Sequence, residues 1–276
     1  MRGDQIGYNP IYVSRSTGLR VAFPVNKGAA RMVGALANVE GHRSKYEMLK
    51  RSLPPEEVGK MFVGGGDPVQ IGFIELEMIR RFKKLEGISV VDIGCGIGRL
   101  TRHLIHEPIE SYLGVDIIPE ILAEAEEQGR GDPRFRFSIG VDCTIPTDDA
   151  SVDIVVAYSV LTHLLDAEIY DYFRECKRVL RSGGVAVLTF VDFMYPPHTE
   201  RFFQYAALHR QSHGDLLQFV HKDVLALFAA RAGFDGIEFI DGLEDLKTSG
   251  LPTKLMTPET TPATIKMHQS ICVLRA

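Results

Sequence analysis

Long apolar runs are missing from this 276-residue chain, and none is long enough to span a bilayer. The first residues, Met1-Arg2-Gly3-Asp4-Gln5, carry no apolar core of signal-peptide length. A soluble cytoplasmic protein with no membrane partner is therefore expected. An excess of positive charge is missing too: 31 Lys and Arg stand against 36 Asp and Glu, a net charge of −5. Nucleic-acid binders normally present a basic face, so no nucleic-acid partner is expected. Cysteine is sparse and dispersed, at Cys95, Cys143, Cys176 and Cys272. Without a Cys-x-x-Cys pair the chain offers neither a zinc knuckle nor a redox dithiol. Its cysteines read as reduced, mostly buried thiols. There is no internal repeat and no low-complexity tract.

What is present is ordinary globular composition, 45% hydrophobic and 24% charged. The length suits one large domain, or a domain with an appendage. Residues 1–60 read as an N-terminal extension. Its first 40 or so residues scatter Gly, Pro, Ser and Arg among short apolar runs without a clear period. A flexible arm, a partner-binding segment and a lid over a site all fit. A short helix is expected over Arg43–Lys50, and Leu53-Pro54-Pro55-Glu56-Glu57 marks a turn into another. Gly64-Gly65-Gly66 makes a loop, either a linker or a flap over a ligand. Ile71, Ile74, Met78, Ile79 and Phe82 then give a helix over Val69–Leu85 one buried face.

Strands and helices alternate from there. Strands are expected at Val90–Ile93, Tyr112–Asp116, Phe135–Val141, Val152–Tyr158 and Val185–Val191. Helices are expected at Leu100–His106, Ile118–Gln128 and Ala167–Leu180. Such alternation implies a parallel sheet with helices on both faces. The rhythm breaks over 193–219, an aromatic and histidine-rich insertion on the far side of strand five. It resumes with a helix over Asp223–Ala232 and strands over Phe234–Ile240 and Gln269–Leu274.

The densest signal is Val90-Val91-Asp92-Ile93-Gly94-Cys95-Gly96-Ile97-Gly98-Arg99. A strand runs into an acid and then into glycine at every second position, which lets a ligand approach bare backbone. A dinucleotide fingerprint needs a small third residue where Arg99 stands, and that speaks against an NAD-dependent dehydrogenase. In open parallel sheets ligands bind beyond the carboxyl ends of the strands. Acids end four of the first five strands, at Asp92, Asp116, Asp142 and Asp192. Tyr158-Ser159 ends the other. Asp116 follows the glycine turn by about 18 residues, where an acid in Rossmann-type sites takes ribose hydroxyls.

This pattern resembles motif I of the class I S-adenosyl-L-methionine (SAM)-dependent methyltransferases. Leu113-Gly114-Val115-Asp116, Asp142-Cys143, Ile145–Val155 and Arg178–Gly184 are similar to successive stretches of the same family. The resemblance covers residues 60 to 190 or so closely and the rest by layout. It implies a Rossmann-like fold, a seven-stranded, mostly parallel sheet whose antiparallel last strand inserts beside the sixth. It implies a methyltransferase domain over 61–276, with 193–219 on the acceptor side. Asp92, Gly94, Cys95, Gly96 and Gly98 would underlie SAM, or the product S-adenosyl-L-homocysteine, near its methionine end. Asp116 would take the ribose, Ile117 the adenine face, and Asp142 with Cys143 the adenine edge. Tyr158 completes the cofactor set.

Methyl transfer asks for alignment and often for a base. His163, just past strand four, is the first candidate. Asp192 and His198 are the next, the former also as a group orienting a histidine. His213 is a rival, and His221 reads better as a helix cap. Arg201 and Arg210 suit a pocket wall. No paired Asp-Asp or His-x-His stands near the expected site, so no metal is expected. The acceptor is expected to be a small molecule, methylated on a hydroxyl of a sugar or secondary metabolite. A protein acceptor and a non-catalytic SAM-binding partner subunit are the alternatives. A homodimer is compatible with the sequence.

Overall fold

The computed structural model describes residues 12–13, 20–21, 29–140, 142–209, 217–242, 244–251, 253–257 and 259–276. Three helices come first, α1 (Ala29–Ser52), α2 (Pro55–Phe62) and α3 (Pro68–Phe82). The main strands are β1 (Ser89–Ile93), β2 (Ser111–Asp116), β3 (Phe135–Ile139), β4 (Val152–Ala157), β5 (Leu180–Asp192), β6 (Gly236–Ile240) and β7 (Ser270–Arg275). Between them lie α4 (Thr101–Leu104), α5 (Pro119–Gly129), α6 (Asp166–Val179), α7 (Pro196–His209) and α8 (Lys222–Ala232).

The sheet runs in the order β3-β2-β1-β4-β5-β7-β6, and the short strand Phe219–Val220 adds to the end of β5. β1 to β5 pair in parallel, whereas β7 lies antiparallel between β5 and β6. The Rossmann-like α/β fold with an inserted antiparallel strand is as the sequence implied. The strand order reverses at β1, between β2 and β4. That is where Gly94 opens the crevice beyond the strand ends.

Alternation along β1 builds the two cores. Val91 and Ile93 face one side with Phe173, Val179 and Leu225, and Val90 faces the other with Phe73, Leu76 and Leu104. Both sets are almost fully buried, as a parallel sheet covered on two faces requires. No helix among the described residues is long and apolar enough to cross a membrane.

Several local expectations shift. The expected helix at Arg43–Lys50 is the end of the much longer α1. Its earlier turns carry Gly34 and Asn38 among apolar residues, which hid the helical period. α3 starts one residue earlier than expected, because Asp67 caps it by accepting from Val69 N–H at 2.8 Å, with Pro68 next. α3 ends at Phe82 rather than Leu85, since Lys83 is already extended. Strand five begins earlier, at Leu180, with a register irregularity against β4 around the Gly183-Gly184 turn. Val141, the expected end of strand three, lies outside the described residues.

α3 docks on the segment after the glycine loop by backbone approach. A Cβ on Gly72 would collide with the carbonyl oxygen of Arg99 and lie 2.8 Å from the His103 ring. Gly72→Ala is therefore expected to cost about 1–3 kcal/mol of stability by overpacking. A thermal melt would show it, and an unchanged Tm would mean that α3 is not seated this closely.

Candidate functional site

The glycine loop is built by β1 and β2 together. Gly94 and Cys95 both donate N–H to the Val115 carbonyl, at 2.7 and 3.1 Å. The turn needs φ of +68° at Gly94, and a Cβ there would strike Val160 after β4. Asp116, at the end of β2, holds the next residues of both segments. Its Oδ2 accepts from Gly96 N–H at 3.0 Å, and its Oδ1 accepts from Ile117 and Ile118 N–H at 2.7 and 3.1 Å. Burial pushes the Asp116 carboxyl above its usual range, and the three N–H donors oppose that.

A cavity of about 360 Å³ opens over this loop. Its floor is Gly94, Gly96, Asp116 and Ile117, with Asp142, Cys143 and Tyr158 alongside. Ser159, Thr162 and His163 continue the wall beyond β4. Val39, His42 and Lys45 of α1, spaced to share one helix face, also line it, with Val63 and Gly64 of the triple-glycine loop. Arg201 of α7, Leu217 and Gln269 close the remaining side. The His42 and His163 rings meet edge to face with centroids 5.0 Å apart.

Thus Gly94, Gly96, Asp116, Ile117, Asp142, Cys143, Tyr158 and His163 are brought to one cavity. Asp92, Cys95 and Gly98 are not on its wall. Asp92 is buried behind the loop and accepts from the Tyr112 hydroxyl at 2.8 Å, which itself accepts from Thr101. Burial, with Glu75 nearby, drives the Asp92 carboxyl well up. Cys95 packs on Leu122 and Ala125 of α5. Gly98 packs closely against α5: a Cβ there would lie 2.9 Å from the Ala125 Cα.

Asp192 and His198 also lie off the cavity wall. Asp192 accepts from Met194 N–H at 3.0 Å and faces Lys222 Nζ at 3.4 Å. His198 accepts the Asp192 N–H at Nδ1, which leaves Nε2 protonated to donate to the His268 carbonyl at 3.1 Å. Both ring nitrogens are engaged, so His198 ties the Asp192 backbone to the His268 carbonyl. His221 caps α8 by accepting from Asp223 N–H. His213 and Arg210 lie outside the described residues. Among those described, no cluster of three or more His, Cys, Asp or Glu could hold a metal ion.

Sequence reasoning missed the α1 residues and Gln269. His42 had no signal, because the face of α1 on the cavity is mixed in polarity. Gln269, directly before a buried strand, was readable as the strand's first residue but not as a wall. The role of Arg99 was also missed. Its guanidinium pairs with buried Glu75 at 3.1 Å, donates to the Val63 carbonyl at 3.3 Å and lies 5.5 Å from the Tyr158 ring centre.

A doubly covered parallel sheet with a glycine-floored cavity at its reversal point defines a Rossmann-like ligand-binding domain. Residues 91–188 match the family model described as a methyltransferase domain. The chain is similar to the Danio rerio N-terminal Xaa-Pro-Lys N-methyltransferase 2, at 30% identity over 54% of this chain and 57% of that protein. The chain thus spans little more than half the length of that relative. It is also similar to a 2-methyl-6-phytyl-1,4-hydroquinone methyltransferase of Synechocystis, at 28% identity over 37% of this chain and 31% of that one. Among solved structures, a SAM-dependent methyltransferase from Archaeoglobus fulgidus superposes with a TM-score of 0.55 at 16% identity, covering 80% of this chain and 97% of that one. That likeness is one of fold.

Proposed function

We propose that this chain binds SAM in the cavity and transfers its methyl group to a hydroxyl of a small-molecule acceptor, with His163 as the base. The observation that carries the reading is the cavity itself: Asp116, bare Gly94 and Gly96 backbone, and Asp142 with Cys143 share it with an imidazole. The residues fit the cofactor. Asp116, which already accepts three backbone N–H groups, keeps an acceptor site for a ribose hydroxyl, Ile117 offers an apolar face, and Asp142 an acceptor for an exocyclic amine. When bound, SAM supplies a sulfonium-activated methyl group. The chain's own part is to hold the acceptor in line, exclude water under α1, and take the hydroxyl proton on His163.

His163→Ala is expected to lower turnover about 10²- to 10⁴-fold while leaving S-adenosylhomocysteine affinity nearly intact. Equal loss of both would assign His163 a structural role instead. The acceptor class is tested with methyl-labelled SAM, purified protein and a host-cell extract. Label in the small-molecule fraction supports this reading. Label in protein would favour the alternative, a protein acceptor, for which the likeness to the N-terminal methyltransferase speaks. Binding of S-adenosylhomocysteine without any label transfer would favour a SAM-binding partner subunit.

A further inference from the structure

Three residues, Ser159, Thr189 and Gln269, form a closed hydrogen-bond ring beside the cavity. Ser159 N–H donates to Thr189 Oγ1 at 2.7 Å. Thr189 Oγ1 donates to Gln269 Oε1 at 2.8 Å. Gln269 Nε2 donates to Ser159 Oγ at 2.7 Å. The ring joins the ends of β4, β5 and β7, and Ser159 and Gln269 both line the cavity.

Its direction is settled by proton counting. Thr189 is fully buried and has one hydroxyl proton, and its Oγ1 already accepts from an amide. If the Gln269 amide were turned over, its NH₂ would point at Thr189 Oγ1. The Thr189 proton would then have no acceptor in a dry site, at a cost of about 1–3 kcal/mol. Gln269 therefore accepts from Thr189 and donates to Ser159. Ser159 Oγ is occupied as an acceptor, and its own proton remains to be given.

The ring is also mechanically supported. Ser159 adopts φ of +58°, rare for a side chain with a Cβ. Gln269 is fixed from behind: a Cβ on Gly242 would lie 2.5 Å from the Gln269 carbonyl carbon, and the preceding His268 carbonyl is held by His198.

We infer that Gln269 is a positioning residue that makes the Ser159 hydroxyl a donor into the cavity, where it binds an anionic oxygen of the ligand. Arg201 and Lys45 line the same cavity and supply positive charge for such a group, beside the carboxylates Asp116, Asp142 and Glu168. Two sources share this chemistry, the carboxylate of the cofactor's amino-acid end and an acidic group on the methyl acceptor. The inference rests on the SAM-binding reading above.

The test compares wild type, Ser159→Ala and Gln269→Glu. Glutamate has the shape of glutamine but accepts at both oxygens, so Ser159 must turn its proton onto residue 269. The donor into the cavity is lost and a negative charge is added, so a loss counts for the inference only where Ser159→Ala, which adds no charge, shows it as well. Calorimetry with S-adenosylhomocysteine, with 5′-methylthioadenosine, which lacks the amino-acid end, and with inorganic phosphate on the S-adenosylhomocysteine complex reads the outcome. If the cofactor carboxylate is the partner, both variants weaken S-adenosylhomocysteine about tenfold or more and leave 5′-methylthioadenosine unchanged. If the acceptor's anion is the partner, both adenosine ligands bind as in wild type and phosphate binding is lost. Any other pattern overturns the inference, including equal weakening of the two adenosine ligands or no change with all three. Failure of wild type to bind S-adenosylhomocysteine would instead sink the cofactor reading. Thermal melts of Gln269→Glu separate a reversed hydroxyl from a lost fold.

Discussion

Arg99→Ala is expected to destabilise the protein by about 3–5 kcal/mol, because it leaves Glu75 charged and unpaired in the interior. Both partners are buried, Arg99 at 8% and Glu75 at 7% exposure. Burial already pushes the Glu75 carboxyl up, and only the Arg99 guanidinium pulls it down. Removing Arg99 drives that carboxyl further up. The penalty is then full where Glu75 is ionised in both the folded and the unfolded chain. It shrinks as pH falls through the raised folded value, since the folded protein can take up a proton. Denaturant titrations at neutral and at acidic pH would show the deficit narrowing on acidification. A loss below about 1 kcal/mol at neutral pH would mean that the pair is solvated and contributes like a surface pair. Replacing both residues with apolar ones of similar volume is expected to recover much of the loss. Cofactor affinity should fall alongside in Arg99→Ala, because the Val63 carbonyl and Tyr158 ring lose the group that ties them to the glycine loop.

Asp116→Ala is expected to weaken S-adenosylhomocysteine binding by about 1–3 kcal/mol, the scale of hydrogen bonds to a charged group. Two losses add. The ligand forfeits a carboxylate acceptor, and the glycine loop forfeits the anchor on Gly96 N–H. Asp116→Asn separates them: it keeps one oxygen for the backbone but cannot accept at both atoms. The raised carboxyl gives a pH signature. In wild type, affinity should decline on acidification at a higher pH than an ordinary aspartate would dictate, because protonation removes an acceptor. Calorimetry across that range on wild type and Asp116→Asn checks it. Unchanged affinity in Asp116→Ala would place the ribose elsewhere.

Local chemistry made much of this legible in advance. The Gly94–Gly98 turn needs backbone that only glycine supplies cheaply, so the loop declared itself in the order of residues. Asp116 was readable because strand length and the glycine turn together fix how far along the chain the next strand ends. His163 was readable for the same reason, being the first imidazole beyond β4. By contrast the depth at which Asp92 and Gly98 lie, off the cavity wall that Asp116 joins, could not be read from their positions in the sequence. Tyr112 draws Asp92 behind the loop, and α5 occupies the space beside Gly98. His198 looked like a base because a histidine after strand five is near the crevice. Its two committed nitrogens, one on Asp192 and one on His268, could not be seen without the fold.

By itself the sequence determined the parallel sheet, the inserted last strand, the glycine-floored crevice and the acid at the end of β2. These follow from period, strand length and glycine geometry, which act between residues close along the chain. Only the tertiary structure decided that α1 lines the cavity, that Arg99 and Glu75 pair in the interior, and that Gln269 meets Ser159. Such contacts join residues far apart along the chain. They are fixed by which helix face is buried and where a loop between distant strands comes to rest, so no local pattern records them.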